Sequence, residues 1–310
     1  MFDSRVGIDS STEALRCAVT SFLNAYSIET NPHAAQEIDS FPEYLTRGTT
    51  VYVAHPPKCS IDEVLDLAID LRSLGYHPVP HLIARKFESQ KHLERTVESL
   101  AEAGISQILI VAGDLDKPAG PYNSTMDVIQ TGLITKYGIK SVGVSGHPEG
   151  SPSITATDLR QALRDKAQFA IDAGLNMYIV TQFGFNATAV IDWEATLAND
   201  NISLPIYVGL AGFASPKQLL RYAYLCGIGS SLKMIAGRAR VVSKKIELQS
   251  VNELILTFAR HQLKYPTSKI TRAHFFPFGG AKRTVSWLNK IQSGRLEICR
   301  DGRDMKLTVE

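Results

Sequence analysis

The sequence predicts an α/β protein whose eight parallel strands close into a (β/α)8, or TIM, barrel. Three observations carry this prediction. Apolar, β-rich runs recur eight times within 310 residues, most are followed by a segment of helical periodicity, and runs such as ILIVA and MYIVT lack polar alternation. Strands of that kind are buried on both faces, which is typical of parallel strands covered by helices. Eight such units at this length favour a closed barrel over an open doubly wound sheet, because a (β/α)8 unit takes about 250 residues.

The strands are predicted where apolar and β-branched residues run together. In chain order they are residues 25–29, 50–54, 78–82, 107–112, 141–145, 177–183, 205–210 and 273–278. Helices are expected between them where apolar residues repeat at helical spacing. The clearest are Ile61, Val64, Leu65, Ala68 and Ile69 before Gly75, and Leu93, Val97, Leu100 and Ala101 before Gly104. A glycine just past the last turn is a common helix end.

Two further helical regions do not fit the simple alternation. Residues 11–23 predict an extra N-terminal helix, and residues 225–260 predict two helices inserted before strand eight. We find no short-period repeat, low-complexity tract or linker in the sequence. Residues 1–310 are therefore predicted to form a single catalytic domain.

Composition and charge exclude several classes of partner. The chain is 44% hydrophobic and 21% charged, as expected for a globular protein with a large core. Its net charge of +2 creates no long-range field for nucleic acid or an anionic membrane. No run approaches the roughly 20 apolar residues of a membrane span, and the N-terminus lacks a signal-peptide core. We expect a cytoplasmic protein.

The cysteines indicate neither a metal site nor a disulfide framework. The four are scattered without any CxxC spacing: Cys17, Cys59, Cys226 and Cys299. A structural zinc site or a set of disulfides would require closer, paired spacing. The usage fits a reducing compartment.

Polar residues follow several predicted strands, where barrels of this kind place their active sites. Strand one ends in SIETNP, strand four in IVAGD and strand six in VTQFGFN. Glu29, Asp114 and Gln182 are the first candidates, although each could alternatively cap a neighbouring helix. Glycine-rich turns at residues 209–212 and 279–280 follow strands seven and eight, where either a phosphate site or a plain tight turn is expected.

Taken in order, these segments resemble the methylenetetrahydrofolate reductase family from about residue 26 to residue 280. The family pattern runs FEFFPP, a histidine followed by leucine and threonine, RGD, YPE, a lysine-bearing helix followed by TQ, and HFY. The matching segments here are residues 28–32 (IETNP), 81–83 (HLI), 112–114 (AGD), 147–149 (HPE), Lys166 followed by 181–183 (TQF), and 274–276 (HFF). Six motifs in one order rarely arise by chance.

The resemblance implies reduction of 5,10-methylenetetrahydrofolate to 5-methyltetrahydrofolate with NAD(P)H as the hydride source. The methylene bridge must open to a cationic iminium, so the site needs a proton donor and a stabilising anion. The resemblance assigns the general acid to Glu29 and the pterin carboxylate to Asp114, and Gln182 suits an edge of the pterin. Phe183 and Phe275 complete the expected substrate-binding set. The direction of the reaction is not encoded.

The resemblance also implies FAD, but three positions depart from it. Cofactor contacts are expected at His81, Arg85, Gly113, His147 and Lys166. Flavin-dependent members carry arginine, tyrosine and histidine where this chain has Ala112, His147 and Ser151. Losing a multi-donor cation disfavours FAD. Residues 80–85 (PHLIAR) resemble a divergent branch in which NADH reduces the folate directly, and there Arg85 would hold a nucleotide phosphate or the folate glutamate.

Two other functions remain open from the sequence. A pterin-dependent methyltransferase would bind the same ring, but it would need a second substrate or a corrinoid partner, and no Asp-x-His-x-x-Gly context is present. A non-catalytic folate-binding barrel would not require the acidic pair Glu29 and Asp114. The reductase is therefore the leading prediction, with a small-molecule folate as partner.

Overall fold

The computed structural model describes residues 4–213, 244–278, 280–299 and 304–307. Eight parallel strands form a closed barrel in the order β1 to β8, and β8 pairs with β1. The strands are β1 Ser27–Thr30, β2 Thr50–Val53, β3 His77–Ile83, β4 Gln107–Val111, β5 Ser141–Gly146, β6 Asn176–Phe183, β7 Ile206–Ala211 and β8 Ile270–Phe276. The predicted (β/α)8 barrel is confirmed.

Helices alternate with these strands and cover the outside of the barrel. They are α1 Ser4–Asn24, α2 Ile61–Ser73, α3 Gln90–Glu102, α4 Thr125–Ile129, α5 Leu133–Lys136, α6 Ala156–Asp172, α7 Ala187–Asn199, α8 Lys244–Lys264 and α9 Ala281–Gln292. α2 begins with a capping box between Ser60 and Glu63. It ends before Gly75, whose φ of +88° suits the left-handed position that commonly follows a helix.

Strand eight starts earlier and ends earlier than the sequence predicted. It covers Ile270–Phe276 rather than residues 273–278, because the polar start of the strand is still paired with β7. Pro277 has no amide to donate, and Phe278 has a φ of +47°, so neither residue continues the ladder. A search for apolar runs does not assign Arg272 to a strand. In the structure, its guanidinium carbon lies over the ring of Tyr207, 5.0 Å from the ring centre.

The remaining differences from the predicted elements lie before β8, after β1 and near the C-terminus. Of the two helices predicted over residues 225–260, the described part is α8, while residues 214–243, including Cys226, lie outside the described residues, as does Gly279. A 3-10 helix, Pro32–Glu43, follows β1, and two short antiparallel strands, β9 Leu296–Ile298 and β10 Met305–Leu307, lie near the C-terminus. The sequence analysis predicted neither.

The interior of the barrel is closed by a layer of side chains below the mouth. This floor contains Tyr52, Val79, Leu109, Tyr178 and Val180. The hydroxyl of Tyr52 donates to the hydroxyl of Tyr178 at 3.0 Å, and Gln107 Nε2 donates to the same oxygen at 3.2 Å. The Tyr178 ring fits because β5 has Gly143 opposite it, where a Cβ would lie 2.9 Å from the ring. These side chains fill the interior of the barrel at this level.

Within the ranges that the structure describes, none of the helices has both the length and the apolar character of a membrane span. Among the same residues, no group of histidine, cysteine and acidic side chains is arranged to hold a metal ion. Cys17, Cys59 and Cys299 carry free thiols.

Candidate active site at the barrel mouth

Glu29 lies near the C-terminal end of β1 with two imidazoles beside its carboxylate. Oε2 of Glu29 is 3.7 Å from Nε2 of His81 and 3.8 Å from Nε2 of His274. These side chains come from β1, β3 and β8, and the strand alternation directs all three into the barrel. The Glu29 side chain keeps 19% of its surface exposed, so a ligand above it can reach the carboxylate.

His81 is largely buried, with 15% of its side chain exposed, and is electrically neutral at neutral pH. Burial lowers the pKa of its imidazole to about 4, although Glu29 acts in the opposite direction. Its Nε2 is buried without a hydrogen-bond partner in the described structure. A buried polar atom without a partner costs free energy unless a ligand or water satisfies it. His81 was predicted as a cofactor contact, and its position beside Glu29 also places it close to the candidate acid.

His274 is fixed in orientation by its neighbours. Its Nδ1 is hydrogen-bonded to Ser27 Oγ at 2.9 Å, and its ring lies 4.4 Å from the ring of Tyr52 and 4.6 Å from that of Phe276. These contacts direct Nε2 towards Glu29. The sequence analysis quoted His274 only as part of the HFF motif and did not select it. His274 could have been selected from its place on the last strand, because that strand pairs with β1, which carries Glu29.

His55 is a second histidine that the sequence analysis missed. It follows β2, is 7% exposed, and bonds the carbonyl of Cys59 through Nε2 at 2.9 Å. Its Nδ1 is buried without a partner in the described structure, and burial lowers the pKa of the ring. The mouth of the barrel thus carries two imidazoles, those of His55 and His81, whose pKa values are lowered by burial.

Asp114 lies on the loop after β4, which we call the Asp114 loop (residues 112–123). The side chain is exposed and makes no hydrogen bond or ion pair with any residue that the structure describes. Gly113 precedes it with a φ of +91°, and a Cβ there would lie 2.3 Å from Cγ2 of Ile83. Gly113, predicted as a cofactor contact, therefore has a clear backbone role: only glycine allows the loop to pass this close to β3.

Arg85 contacts the Asp114 loop instead of projecting freely into the mouth. Its Nε donates to the carbonyl of Asn123 at 2.9 Å, and its Nη1 donates to the carbonyl of Leu115 at 3.0 Å. The sequence analysis expected this guanidinium to hold a phosphate or the folate glutamate. Such an anion would have to compete with two backbone carbonyls for the side chain.

Gln182 and a group of aromatic rings occupy the β6 and β8 side of the mouth. Gln182 is half-buried near the end of β6, where the β6–β7 register shifts. The ring of Phe183 lies 5.9 Å from that of Phe276 and 5.0 Å from that of Phe278. Phe183 is buried and meets the other two rings at steep angles, whereas Phe276 and Phe278 are half-buried and stack on each other with ring centres 6.0 Å apart.

Phe275, which the sequence selected as a substrate contact, does not lie with these rings. The residue is fully buried in the outer core between strands and helices, with its ring 6.1 Å from that of Tyr26. Alternation along β8 directs His274 and Phe276 into the barrel and Phe275 away from it. Phe276 is the ring of this motif that faces the mouth.

His147 and Lys166 lie together at the β5 side of the barrel. Burial lowers the pKa of both groups, and the positive charge of Lys166 lowers the pKa of His147 further. His147 follows β5, and Lys166 projects from α6. The two motifs that carry His147 and Lys166 are thus close together in the fold. Their role as cofactor contacts stays a prediction.

The chain is similar to one known protein family and, in its fold, to solved structures. The model of the methylenetetrahydrofolate reductase family matches residues 65–275. A solved structure from Clostridium thermocellum, an uncharacterized protein that binds two copies of 5-methyl-5,6,7,8-tetrahydrofolic acid, aligns with a TM-score of 0.59 and 14% identity, covering 88% of this chain and 96% of that chain. Dihydropteroate synthase from Thermus thermophilus aligns with a TM-score of 0.45 and 13% identity, covering 85% of this chain and 92% of that chain.

At such identities, the similarity to the Clostridium thermocellum structure concerns the fold alone. The family match is of a different kind, because it extends over more than half of the 310 residues. It includes the segments that carry His81, Asp114, Gln182 and His274. The chain belongs to the methylenetetrahydrofolate reductase family.

Proposed function

We propose that this protein interconverts 5,10-methylenetetrahydrofolate and 5-methyltetrahydrofolate, with NAD(P)H as the hydride source and Glu29 as the general acid. The observation that carries the proposal is the carboxylate of Glu29 at the barrel mouth, within 4 Å of two imidazoles. Membership of the family supports the reaction class. A protein of the same fold binds 5-methyltetrahydrofolate, which agrees with a folate ligand.

The proposed reaction assigns separate tasks to the two carboxylates. When one carbon–nitrogen bond of the methylene bridge breaks, the released nitrogen takes a proton from Glu29. The remaining iminium carbon then accepts a hydride, which reduced nicotinamide supplies when it is bound. Asp114 stabilises the positive charge of the iminium, because a carboxylate near a developing cation lowers the barrier to its formation.

The neighbouring residues prepare Glu29 for this task. His274 is held by Ser27 and by the ring of Tyr52, so it limits where the carboxylate can move. His81 is neutral and offers Glu29 a dipole without adding a full positive charge. Phe276 and Phe278, packed against the buried ring of Phe183, supply apolar surface on which the aromatic part of a folate can pack.

We further propose that the hydride passes to the folate without a flavin relay. At the position of the arginine in flavin-dependent members, Ala112 has no cationic side chain, and its carbonyl accepts from the Arg85 amide at 3.1 Å. His147 replaces tyrosine with a ring that burial holds neutral. Ser151 lies within bonding reach of Ser153. These residues do not fit a flavin in the way the family pattern requires.

Replacing Glu29 with Gln tests the general acid while preserving the shape of the side chain. We expect kcat to fall by about 100- to 10,000-fold, the usual contribution of a general acid, with little change in the Kd of 5-methyltetrahydrofolate. Turnover is followed by NADH oxidation and binding by calorimetry. Glu37→Gln, at an exposed position on the 3-10 helix after β1, is the matched control.

The outcomes separate the competing functions. Undiminished turnover by Glu29→Gln would defeat the general-acid assignment. A wild-type protein that binds the folate but never consumes NADH or NADPH, with or without added FAD, would favour the binding-only barrel. Methyl transfer to an acceptor without nicotinamide would favour the methyltransferase.

The visible absorbance of freshly purified protein tests the direct hydride transfer. We expect no flavin band, together with NADH-dependent turnover that added FAD does not increase. A flavin that copurifies in proportion to the protein and is required for turnover would contradict this part of the proposal and leave the folate assignment intact.

A further inference from the structure

Arg85 is connected to the Asp114 loop by both its backbone and its side chain. Its amide donates to the carbonyl of Ala112 at 3.1 Å, and its carbonyl accepts from the amide of Ala119 at 2.8 Å. Its guanidinium donates to the carbonyls of Leu115 and Asn123. One residue at the end of β3 therefore contacts the loop at its start, its middle and its end.

Two of these contacts enclose Asp114. Arg85 holds the carbonyls of Ala112 and Leu115, which lie two residues before and one residue after Asp114. Between them, Gly113 packs against Ile83 on the same segment as Arg85. The Asp114 side chain has no partner among the described residues, so the contacts that hold this residue in place are those of the backbone on either side of it.

The rest of the Asp114 loop is held against the same segment of the chain. At Gly120 a Cβ would lie 2.3 Å from the carbonyl oxygen of Glu88, so the two backbones are in direct contact. The loop then enters α4 through a capping box between Ser124 and Asp127. The Arg85 side chain adds contacts at Leu115 and Asn123, and the Asp127 carboxylate also accepts from the amide of Asn123 at 2.7 Å.

We propose that Arg85 is a positioning residue that places the Asp114 carboxylate against the pterin. The inference rests on the proposed function for the role of Asp114, but the hold of Arg85 on the loop is a property of the structure. The planar guanidinium suits this task because it reaches two carbonyls in fixed directions, which the single ammonium of lysine does not reproduce.

A double-mutant cycle between Arg85→Met and Asp114→Asn tests the proposal. We expect Arg85→Met to lower kcat/KM and folate affinity by about 10- to 100-fold, because a shift of about 1 Å in a positioned group has effects of this size. In the Asp114→Asn background the same change is expected to have an effect of less than about 3-fold, since residues that act through one another are not additive.

Lys86→Met provides the matched control. Lys86 also binds backbone carbonyls, those of Pro56, Pro57 and Cys59 at 3.1, 3.3 and 3.2 Å, but it holds the loop after β2. Any effect of Lys86→Met on kcat/KM is expected to multiply with that of Asp114→Asn. Full multiplication of Arg85→Met with Asp114→Asn would overturn the positioning role.

Hydrogen exchange gives a readout that does not depend on folate. We expect faster amide exchange within residues 112–123 in Arg85→Met, with an intermediate rate in Arg85→Lys and wild-type rates in Lys86→Met. Unchanged exchange in Arg85→Met would refute the hold of Arg85 on the loop. Failure of the proposed function would instead be seen in the wild type, as absent folate turnover with the exchange pattern preserved.

Discussion

At the scale of single residues, two histidines near the mouth of the barrel, His55 and His81, have pKa values that burial lowers. His55 and His81 each have a ring nitrogen that is buried without a partner in the described structure. A protein would lose stability by retaining such atoms unless something satisfies them in use. A bound ligand or an ordered water molecule would satisfy these atoms.

The neutral His81 predicts an acid-sensitive stability. Its pKa is about 4 in the folded protein, mainly because of burial, and near 6.5 in the unfolded chain. The unfolded chain therefore binds this proton first, and the free energy of unfolding falls as the pH is lowered from about 6.5 to about 4. The loss approaches about 3 kcal/mol at the lower limit.

Urea denaturation between pH 4 and pH 8 measures this loss. His81→Gln is expected to reduce the slope of unfolding free energy against pH in that window. His77→Gln, at an exposed position on the same strand, is expected to leave the slope unchanged. Equal slopes for the wild type and His81→Gln would show that other groups cause the acid sensitivity.

At the scale of elements, the loop after β4 shows how backbone contacts position a candidate site residue at the end of a strand. Gly113 combines a positive φ with a close approach to Ile83, and the loop beyond it is held by Arg85. The sequence marked Gly113 and Arg85 as cofactor contacts because they lie near the family motifs. Neither the φ of the glycine nor the carbonyl partners of the arginine are visible in a motif, so the backbone roles were not predictable.

Gly113→Ala separates the effect of close approach from that of backbone conformation. Gly174 is the control, because its φ is also positive, at +60°, but a Cβ there meets nothing within 4 Å. We expect Gly113→Ala to be more destabilising than Gly174→Ala by about 1–3 kcal/mol, the usual cost of overpacking. Equal changes in the urea midpoint of the two variants would indicate that the loop moves away from Ile83 at little cost.

Strand alternation explains where three of the selected residues lie. Glu29 and Gln182 were selected from strand ends, and the barrel places them at its mouth. Phe275 was selected from the same kind of motif, but one step along a strand reverses the face, and Phe276 lies at the mouth instead. A short apolar run such as HFF does not reveal which of its residues face inward.

At the scale of the whole molecule, the barrel was predictable because eight units repeat one pattern. Apolar strands and amphipathic helices alternate, and only a few architectures bury both. The interior polar contacts were not predictable, because Tyr52, Gln107 and Tyr178 lie on three different strands. They meet only through closure of the barrel, which no local pattern encodes.

The floor contacts therefore predict a coupling between distant strands. Tyr178→Phe removes the hydroxyl that accepts from both Tyr52 and Gln107, and we expect it to cost about 1–3 kcal/mol, because buried donors lose their partner. The double variant Tyr52→Phe with Tyr178→Phe is expected to cost less than the sum of the single changes. Additive urea results would mean that the hydroxyls contribute independently.

The pairing of β8 with β1 has a consequence for how the protein acquires activity. Ser27 and His274 are 247 positions apart in the sequence, yet they bond across this seam, and Glu29 lies beside it. A chain that has formed every strand but has not joined the two ends of its sheet lacks the arrangement around Glu29. During refolding, the rate at which catalytic activity returns would then report the rate at which β8 pairs with β1. The rate at which helical content returns would not report that pairing.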